Sequence, residues 1–349
     1  MRLGLSMGYV VGDAAHGHVE LACEADRLGF SVAWAAEAYG SDSPSVLGYV
    51  AAMTRRIDIG AGVMQIPART PAMTAMTAAT LDLLSGGRFR LGLGVSGPQV
   101  SEGWHGVRFE APLARTREYV EIVRQALERK TVRHGGRYFT LPLPDGPGKA
   151  LKLNVHSVRE HVPVYLAAVG PQNLEVAGEI ADGWLAIFFS PEYAGEALAH
   201  VNAGRVRGRR LDRPFDVAAT VPVSIDADVA TAAEPIRGYA ALYLGGMGSR
   251  EQNFYNQLAA RMGFEAEARR VQELFLDKRN REAMAAVPLD FIDQTSLIGP
   301  YSRIVERMHA FATAGVTTLN VSCPQPTLDS RVATLRRVAE ALDDSGLGD

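Results

Sequence analysis

The sequence predicts an α/β protein, a (β/α)8 TIM barrel with insertions, and three observations lead to that fold class. Short apolar segments alternate with segments of helical periodicity along the 349 residues, which is typical of parallel strands joined by right-handed crossovers. Eight strand candidates can be distinguished, the number that closes such a barrel. Hydrophobic residues make up 47% of the chain and charged residues 21%, which supplies apolar material for one large core. We therefore expect residues 1–349 to form a single domain, with insertions at about 130–161 and 240–290.

Each predicted strand is a short apolar run bounded by turn residues. The eight runs are Leu3–Ser6, Val32–Ala36, Ile57–Val63, Phe89–Val95, Val164–Ala168, Trp184–Ile187, Asp216–Val223 and Thr317–Ser322. The intervening helices are indicated by their ends. Gly29 stands where a C-cap glycine belongs. Ser43-Pro44 and Thr70-Pro71 each place a hydroxyl N-cap before a proline at the first helical position.

The rest of the chain keeps this alternation, with two interruptions. Arg115–Arg129 has the apolar spacing of an amphipathic helix. Residues 130–161 are rich in glycine and proline, which predicts an irregular insertion carrying short extended pieces. Residues 228–285 have a mostly helical pattern, and we interpret the glycines between Gly245 and Gly248 as a hinge within it.

Composition excludes several classes of function. The formal net charge is −3 and the pI is near 6.3, so no basic surface indicates a nucleic acid or an anionic membrane as partner. Cys23 and Cys323 are the only cysteines, which suits a reducing compartment. Since the sequence begins without a signal-peptide pattern and has no apolar run of membrane-spanning length, we expect a cytoplasmic protein. It lacks the motifs of zinc sites, P-loops, nucleophile elbows and Rossmann folds, and we expect no bound metal.

The candidate site residues are those that follow the predicted strands, because barrel enzymes carry their chemistry at the carboxyl ends of the strands. Glu37 and Tyr39 follow the second strand. A buried Glu37 would be either a catalytic acid with a raised pKa or a hydrogen-bond acceptor. His105, next to Trp104, could donate a proton because an unperturbed imidazole titrates near neutrality. The alternative for this pair is packing or capping alone.

Two glycine-containing segments indicate where a cofactor could bind. Gly60 and Gly62 remove side chains near the end of the third strand, either to back a flat ring or to bend the barrel. Val169-Gly170-Pro171 leads from a strand into a helix, whose first amides could bind a phosphate. The alternative there is a plain turn. From composition and spacing alone, the chain is a barrel that binds a phosphorylated flat cofactor.

Three stretches make the chain similar to a known family. They are IGAGVMQIPARTP at Ile59–Pro71, SGGRFRLGLGVSGPQVSEGWHG at Ser85–Gly106 and VPVYLAAVGPQNLEVAGEIADGW at Val162–Trp184. Together they resemble the luciferase-like monooxygenase superfamily, specifically its coenzyme F420-dependent oxidoreductases. The resemblance implies a homodimer that holds the deazaflavin F420, or alternatively FMN, at the carboxyl ends of its barrel strands.

The resemblance also implies where the cofactor lies. It places a non-proline cis peptide at Gly62-Val63 and the cofactor phosphate at the turn after the fifth strand and near Ser190. The cofactor-binding candidates are Gly62, Val63, Gln65, Ser96, Gly97, Gln99, Val169, Gly170, Pro171 and Ser190.

The chain lacks residues that one branch of the superfamily carries, and this difference affects which substrate we expect. The glucose-6-phosphate dehydrogenases carry an Asp-His pair after strand two and a glutamate after strand four, where this chain has Glu37-Ala38 and Gly97. We therefore expect hydride transfer between C5 of the deazaflavin and a small carbonyl, imine or activated alkene rather than a sugar phosphate. A proton would come from Glu37, Tyr39, His105 or water. The alternatives are an FMN-dependent monooxygenase and a cofactor-binding protein without turnover.

Overall fold

The computed structural model describes residues 1–9, 15–250 and 252–348, and eight of its parallel strands close on themselves. The barrel strands are β1 Arg2–Gly8, β2 Val32–Ala35, β3 Asp58–Ala61, β4 Phe89–Gly94, β5 Val164–Ala167, β6 Gly183–Ile187, β7 Asp216–Ile225 and β8 Thr318–Ser322. Neighbours in the barrel are neighbours in sequence, and β1 pairs with both β2 and β8. The predicted (β/α)8 barrel is therefore confirmed, and its strands lie close to the predicted runs.

The barrel interior is filled by two aromatic side chains rather than left as a pore. Trp34 of β2 and Tyr165 of β5 meet edge to face with ring centroids 5.1 Å apart. The indole Nε1 of Trp34 donates to Oδ1 of Asn320 at 2.9 Å. Gly60 makes room for this indole, because a Cβ at Gly60 would lie 2.3 Å from the ring.

Helices cover the outside of the barrel. They are α1 Ala15–Arg27, α2 Ser43–Met53, α3 Pro71–Leu84, α4 Pro98–Gly103, α5 Pro112–Leu127, α6 Pro171–Ile180, α7 Ala194–Arg207, α8 Val229–Ala241, α9 Phe254–Ala259, α10 Glu265–Leu276, α11 Asn280–Ala285, α12 Leu289–Gln294, α13 Tyr301–Thr313 and α14 Leu328–Ser345. Thr70 caps α3 as predicted, accepting from the Met73 amide at 3.2 Å. The N-cap of α2 is Asp42 rather than the predicted Ser43, since its carboxylate accepts from the Ser45 amide at 2.9 Å.

Helices α8 to α12, which lie between β7 and β8, pack around a hydrophobic core of their own. It joins α8 to α12 with Phe188, which follows β6, so these helices lie on the carboxyl end of the barrel. Two π-helical turns, Leu242–Gly246 and Ala260–Phe264, interrupt them. A Cβ at Gly245 or Gly246 would lie within 2.5 Å of the Phe275 side chain. Close packing on that ring therefore explains these two glycines, which the sequence had suggested as a hinge.

The segment between α5 and β5 contains little regular structure. Its two short strands, His134–Gly135 and Thr140–Leu141, form an antiparallel hairpin. Glu118 of α5 anchors the hairpin by accepting from three successive backbone amides, starting at Arg137. Across the part of the chain that the structure describes, no helix combines the length and apolarity that crossing a membrane requires.

Candidate active site

Glu37 follows β2, and its carboxylate is held in a buried ion pair. Arg69 donates to both oxygens, with Nη2 to Oε2 at 2.8 Å. The Ser43 amide donates to Oε2 at 3.1 Å and the Gln65 amide to Oε1 at 3.3 Å. Only 6% of the Glu37 side chain is exposed. Glu37 was expected to be either a catalytic acid or a hydrogen-bond acceptor, and these contacts are those of an acceptor. Its catalytic role stays a prediction.

Gln65 connects the loops that follow β2, β3 and β4. Its side-chain amide donates to the Ala38 carbonyl at 2.6 Å and accepts from the Ser96 hydroxyl at 2.8 Å. Ser96 has a left-handed backbone with φ of 62°, a conformation that costs free energy for a residue other than glycine. The hydrogen bond to Gln65 holds it there. Gln65 is buried, and its side chain links the loops by these hydrogen bonds.

The peptide bond between Gly62 and Val63 is cis, which confirms the prediction from the resemblance. A short strand, Met64–Gln65, follows it and pairs with β4. A Cβ at Gly62 would lie 3.1 Å from Cβ of Trp34, so the first atom of a side chain there would press on the barrel interior. Val63 packs over Gly94, where a Cβ would lie 2.6 Å from its side chain.

The amino end of α6 lies at a pocket on the carboxyl side of the barrel. Gly170 is its N-cap and Pro171 its first residue. The first amides of a helix have no partner within the helix, which here leaves Gly170, Gln172 and Asn173 as donors. Val169 and Pro171 line the pocket together with residues that follow β6 and residues of the π-turn Ala260–Phe264.

Two arginines lie around this pocket with different partners. Arg261 of the π-turn reaches across and donates to the Val169 carbonyl at 3.1 Å. Ser190, the second predicted phosphate ligand, also lines the pocket, but its hydroxyl donates to Glu192 at 2.8 Å. Arg307 pairs with Glu192. Burial raises the pKa of Glu192, yet the bonds from Arg307 and Ser190 outweigh it and lower that pKa.

The remaining candidates lie outside these two clusters. Tyr39 is 62% exposed. Gly97 is the N-cap of the short α4, and Gln99 is exposed on that helix. His105 follows α4 beside the exposed Trp104, and its Nε2 is buried without a hydrogen-bond partner among the described residues.

A group of tyrosines at the barrel mouth was not predicted. We call Tyr9, Tyr239, Tyr243 and Tyr255 the phenol cluster. Tyr9 follows β1, whereas the others belong to α8, its π-helical extension and α9. The rings of Tyr239 and Tyr243 are 4.7 Å apart, and those of Tyr243 and Tyr255 are 4.8 Å apart. The spacing of four residues between Tyr239 and Tyr243 was the only local signal, since it puts two phenols on one helix face.

Comparison with known proteins gives the class to which this barrel and its site belong. Residues 2–318 match the luciferase-like monooxygenase family, and the chain belongs to that family. It is similar to a Mycobacterium tuberculosis protein assigned as a coenzyme F420-dependent oxidoreductase, with 43% identity over 92% of this chain and 95% of the relative. It is 30% identical to the 5,10-methylenetetrahydromethanopterin reductase of Archaeoglobus fulgidus, over 86% and 87% of the two chains.

A solved structure shows the same architecture. The coenzyme F420-dependent tetrahydromethanopterin reductase from Methanopyrus kandleri superimposes with a TM-score of 0.80 and 25% identity, covering 97% of each chain.

Proposed function

We propose that this protein is a coenzyme F420-dependent oxidoreductase that transfers a hydride between C5 of the deazaflavin and a small carbonyl, imine or activated alkene. The observation that carries the proposal is the 43% identity, over 95% of its length, to a relative assigned as such an enzyme. The chemistry of the site supports it. The amides of Gly170, Gln172 and Asn173 form a donor set that fits the phosphate of F420.

Different residues of this chain would bind the phosphate of F420, contact its ring and position the surrounding loops. Bound F420 supplies the carbon that gives or accepts the hydride. The turn formed by Val169, Gly170 and Pro171 would place the phosphate against the first amides of α6, and the cis bulge at Gly62-Val63 would shape the surface for the ring. Gln65 and Ser96 position the loops, while Gly97 and Gln99 border the site.

Protons would be handled by a different set of side chains. His105 is the first candidate, because its Nε2 has no hydrogen-bond partner among the described residues. Tyr39 is an exposed alternative. Glu37 serves mainly to hold Arg69 and the loop amides, because its oxygens already accept from them. We further propose that the protein acts in the cytoplasm, where its two free cysteines stay reduced.

Cofactor preference tests this proposal. Apo-protein is titrated with F420 and with FMN, and binding is followed by calorimetry. We expect F420 to bind at least about 10-fold more tightly than FMN, a difference of roughly 1.4 kcal/mol. Tight FMN binding without measurable F420 binding would favour the monooxygenase alternative. Oxidation of reduced F420 by a carbonyl and imine panel then separates an enzyme from a protein that only binds the cofactor.

We also propose that the protein is a homodimer that buries the outer face of α2 and α3. We define the α2–α3 face by its exposed apolar side chains, Tyr49, Met53, Met73, Met76, Leu83 and Leu84. Neither helix exposes a charge. The sequence of α2 contains no charged residue, and the single one in α3 is the buried Asp82, which pairs with Arg159. An apolar face of this extent is typical of a protein–protein interface.

Replacing Met76 by glutamate is expected to convert the dimer to a monomer. Met76 lies in the middle of the α2–α3 face and is 49% exposed in the single chain, so a carboxylate there would be desolvated without a partner on dimerisation. Sedimentation velocity measures the change in mass. Leu143→Glu is the matched control, because Leu143 is exposed but lies outside this face. A monomeric wild-type protein, or equal effects of both variants, would contradict the proposal.

A further inference from the structure

The phenol cluster combines one tyrosine from the start of the chain with three that pack around Phe188. Phe188 follows β6, and its left-handed φ of 50° turns the chain at this point. Its ring centroid lies 5.4 Å from that of Tyr239, 5.6 Å from that of Tyr243 and 6.3 Å from that of Tyr255. Tyr9 arrives from β1 on the other side of the mouth, and all four phenols are half-buried. The rings therefore form an aromatic wall with part of its surface open.

The hydroxyl groups of this wall influence one another's pKa values. Tyr9 interacts electrostatically with Tyr239, Tyr243 and Tyr255 in turn. Tyr239 and Tyr243 also interact with each other. Among the residues that the structure describes, no hydrogen-bond partner contacts the hydroxyl of Tyr9 or of Tyr255. Two donors thus remain for a ligand.

The pKa values of Tyr9 and Tyr255 favour the neutral phenol. Burial raises the pKa of Tyr255 to about 12, and it also raises that of Tyr9. The other groups that shift these two pKa values are themselves tyrosines. The phenols therefore stay protonated and can donate hydrogen bonds. An anionic ligand here would lose its hydration without gaining a counter-charge.

We infer that the phenol cluster is the substrate-binding wall, and that it selects an uncharged, flat, aromatic or conjugated carbonyl compound whose oxygen accepts from Tyr9 or from Tyr255. This inference rests on the proposed function and names its substrate class. Aromatic rings favour a flat apolar body by stacking or edge contacts. Donors left without an acceptor penalise analogues that lack the oxygen. The neutral wall also excludes phosphorylated and carboxylated compounds.

Binding of acetophenone to the full-length protein tests the inference without requiring turnover. Dissociation constants are measured by ligand-observed NMR in the presence of oxidised F420, with benzoate as the anionic counterpart of similar shape. We expect acetophenone to bind at least about 10-fold more tightly than benzoate. Tyr255→Phe keeps the ring and removes one donor, so it should weaken acetophenone binding by about 3- to 10-fold. Tyr9→Phe should weaken acetophenone binding by a similar factor, and it replaces Tyr255→Phe in the experiment if that variant does not fold.

The control is Tyr301→Phe. The Tyr301 hydroxyl donates to Asp344 at an exposed position on the helix layer, so this variant should bind acetophenone as the wild type does. Equal binding of acetophenone and benzoate, or unchanged acetophenone binding in Tyr255→Phe and Tyr9→Phe, would overturn the inference. Normal F420 binding in those same variants would leave the proposed function standing, whereas a wild type that does not bind F420 would overturn the proposed function itself.

Discussion

Gly170→Pro is expected to weaken F420 binding by about 10- to 100-fold in a protein that still folds. The substitution removes the one amide of Gly170 and nothing else that the helix needs. Its φ of −85° and ψ of 156° are close to the conformation that proline adopts. No atom lies within 4 Å of the position of its Cβ. A hydrogen bond to a charged group contributes about 1.5–3 kcal/mol, which corresponds to the expected loss.

Gly170→Ala is the matched control, because alanine keeps the amide and its methyl group points into open space. Its F420 affinity should equal that of the wild type. The deazaflavin without its phosphate should bind equally to the wild type and to Gly170→Pro, since the lost donor serves the phosphate. Titration by fluorescence measures all of these affinities. If Gly170→Pro binds F420 as tightly as the wild type does, the phosphate does not bind at the amino end of α6.

Arg69→Met is expected to lower the free energy of unfolding by about 3–5 kcal/mol, the cost of leaving a buried charge without its partner. Burial opposes the charge of Arg69, but Glu37 and Asp42 outweigh it and raise the pKa of Arg69. The Glu37 side chain is 6% exposed and that of Arg69 is 14% exposed. Without Arg69, the Glu37 carboxylate would keep only its bonds from Ser43 and Gln65.

Two further variants isolate the buried charge as the cause, with urea denaturation as the measurement. Arg27→Met breaks the exposed pair between Arg27 and Glu24 and should leave the free energy of unfolding nearly unchanged, because solvent screens such a pair. Glu37→Gln combined with Arg69→Met should recover much of the loss, since two neutral groups then replace the ion pair. Equal losses in Arg69→Met and Arg27→Met would contradict the expectation. A folded Glu37→Gln variant that binds F420 but no longer turns over would instead make Glu37 a catalytic acid.

The order and type of the barrel elements could be predicted from the sequence because they depend on local patterns. Runs such as Phe89–Gly94 are buried along their whole length in a parallel sheet. Such strands can therefore be predicted from their own residues, without knowing which strands pair with them. The cap at Thr70 is likewise set by residues within one turn. The sequence shows where the strand glycines stand, but it does not show which neighbour requires each of them. At Gly92 a Cβ would lie 1.9 Å from the Ala61 carbonyl, so a neighbouring backbone requires this glycine.

The positions of the cofactor candidates were predictable because a parallel barrel brings every strand end to one face. The partners of those residues were not. Arg69 lies 32 residues from Glu37, and nothing near either residue indicates the other. Tyr9 and Tyr255 lie at the same end of the barrel only because closure of β1 onto β8 brings the start of the chain close to the helices that follow β7. The sequence by itself thus determined the barrel and the face that carries its chemistry. Tertiary structure alone decided which charges are neutralised and which tyrosines come together in the phenol cluster, since both depend on contacts between residues distant in the chain.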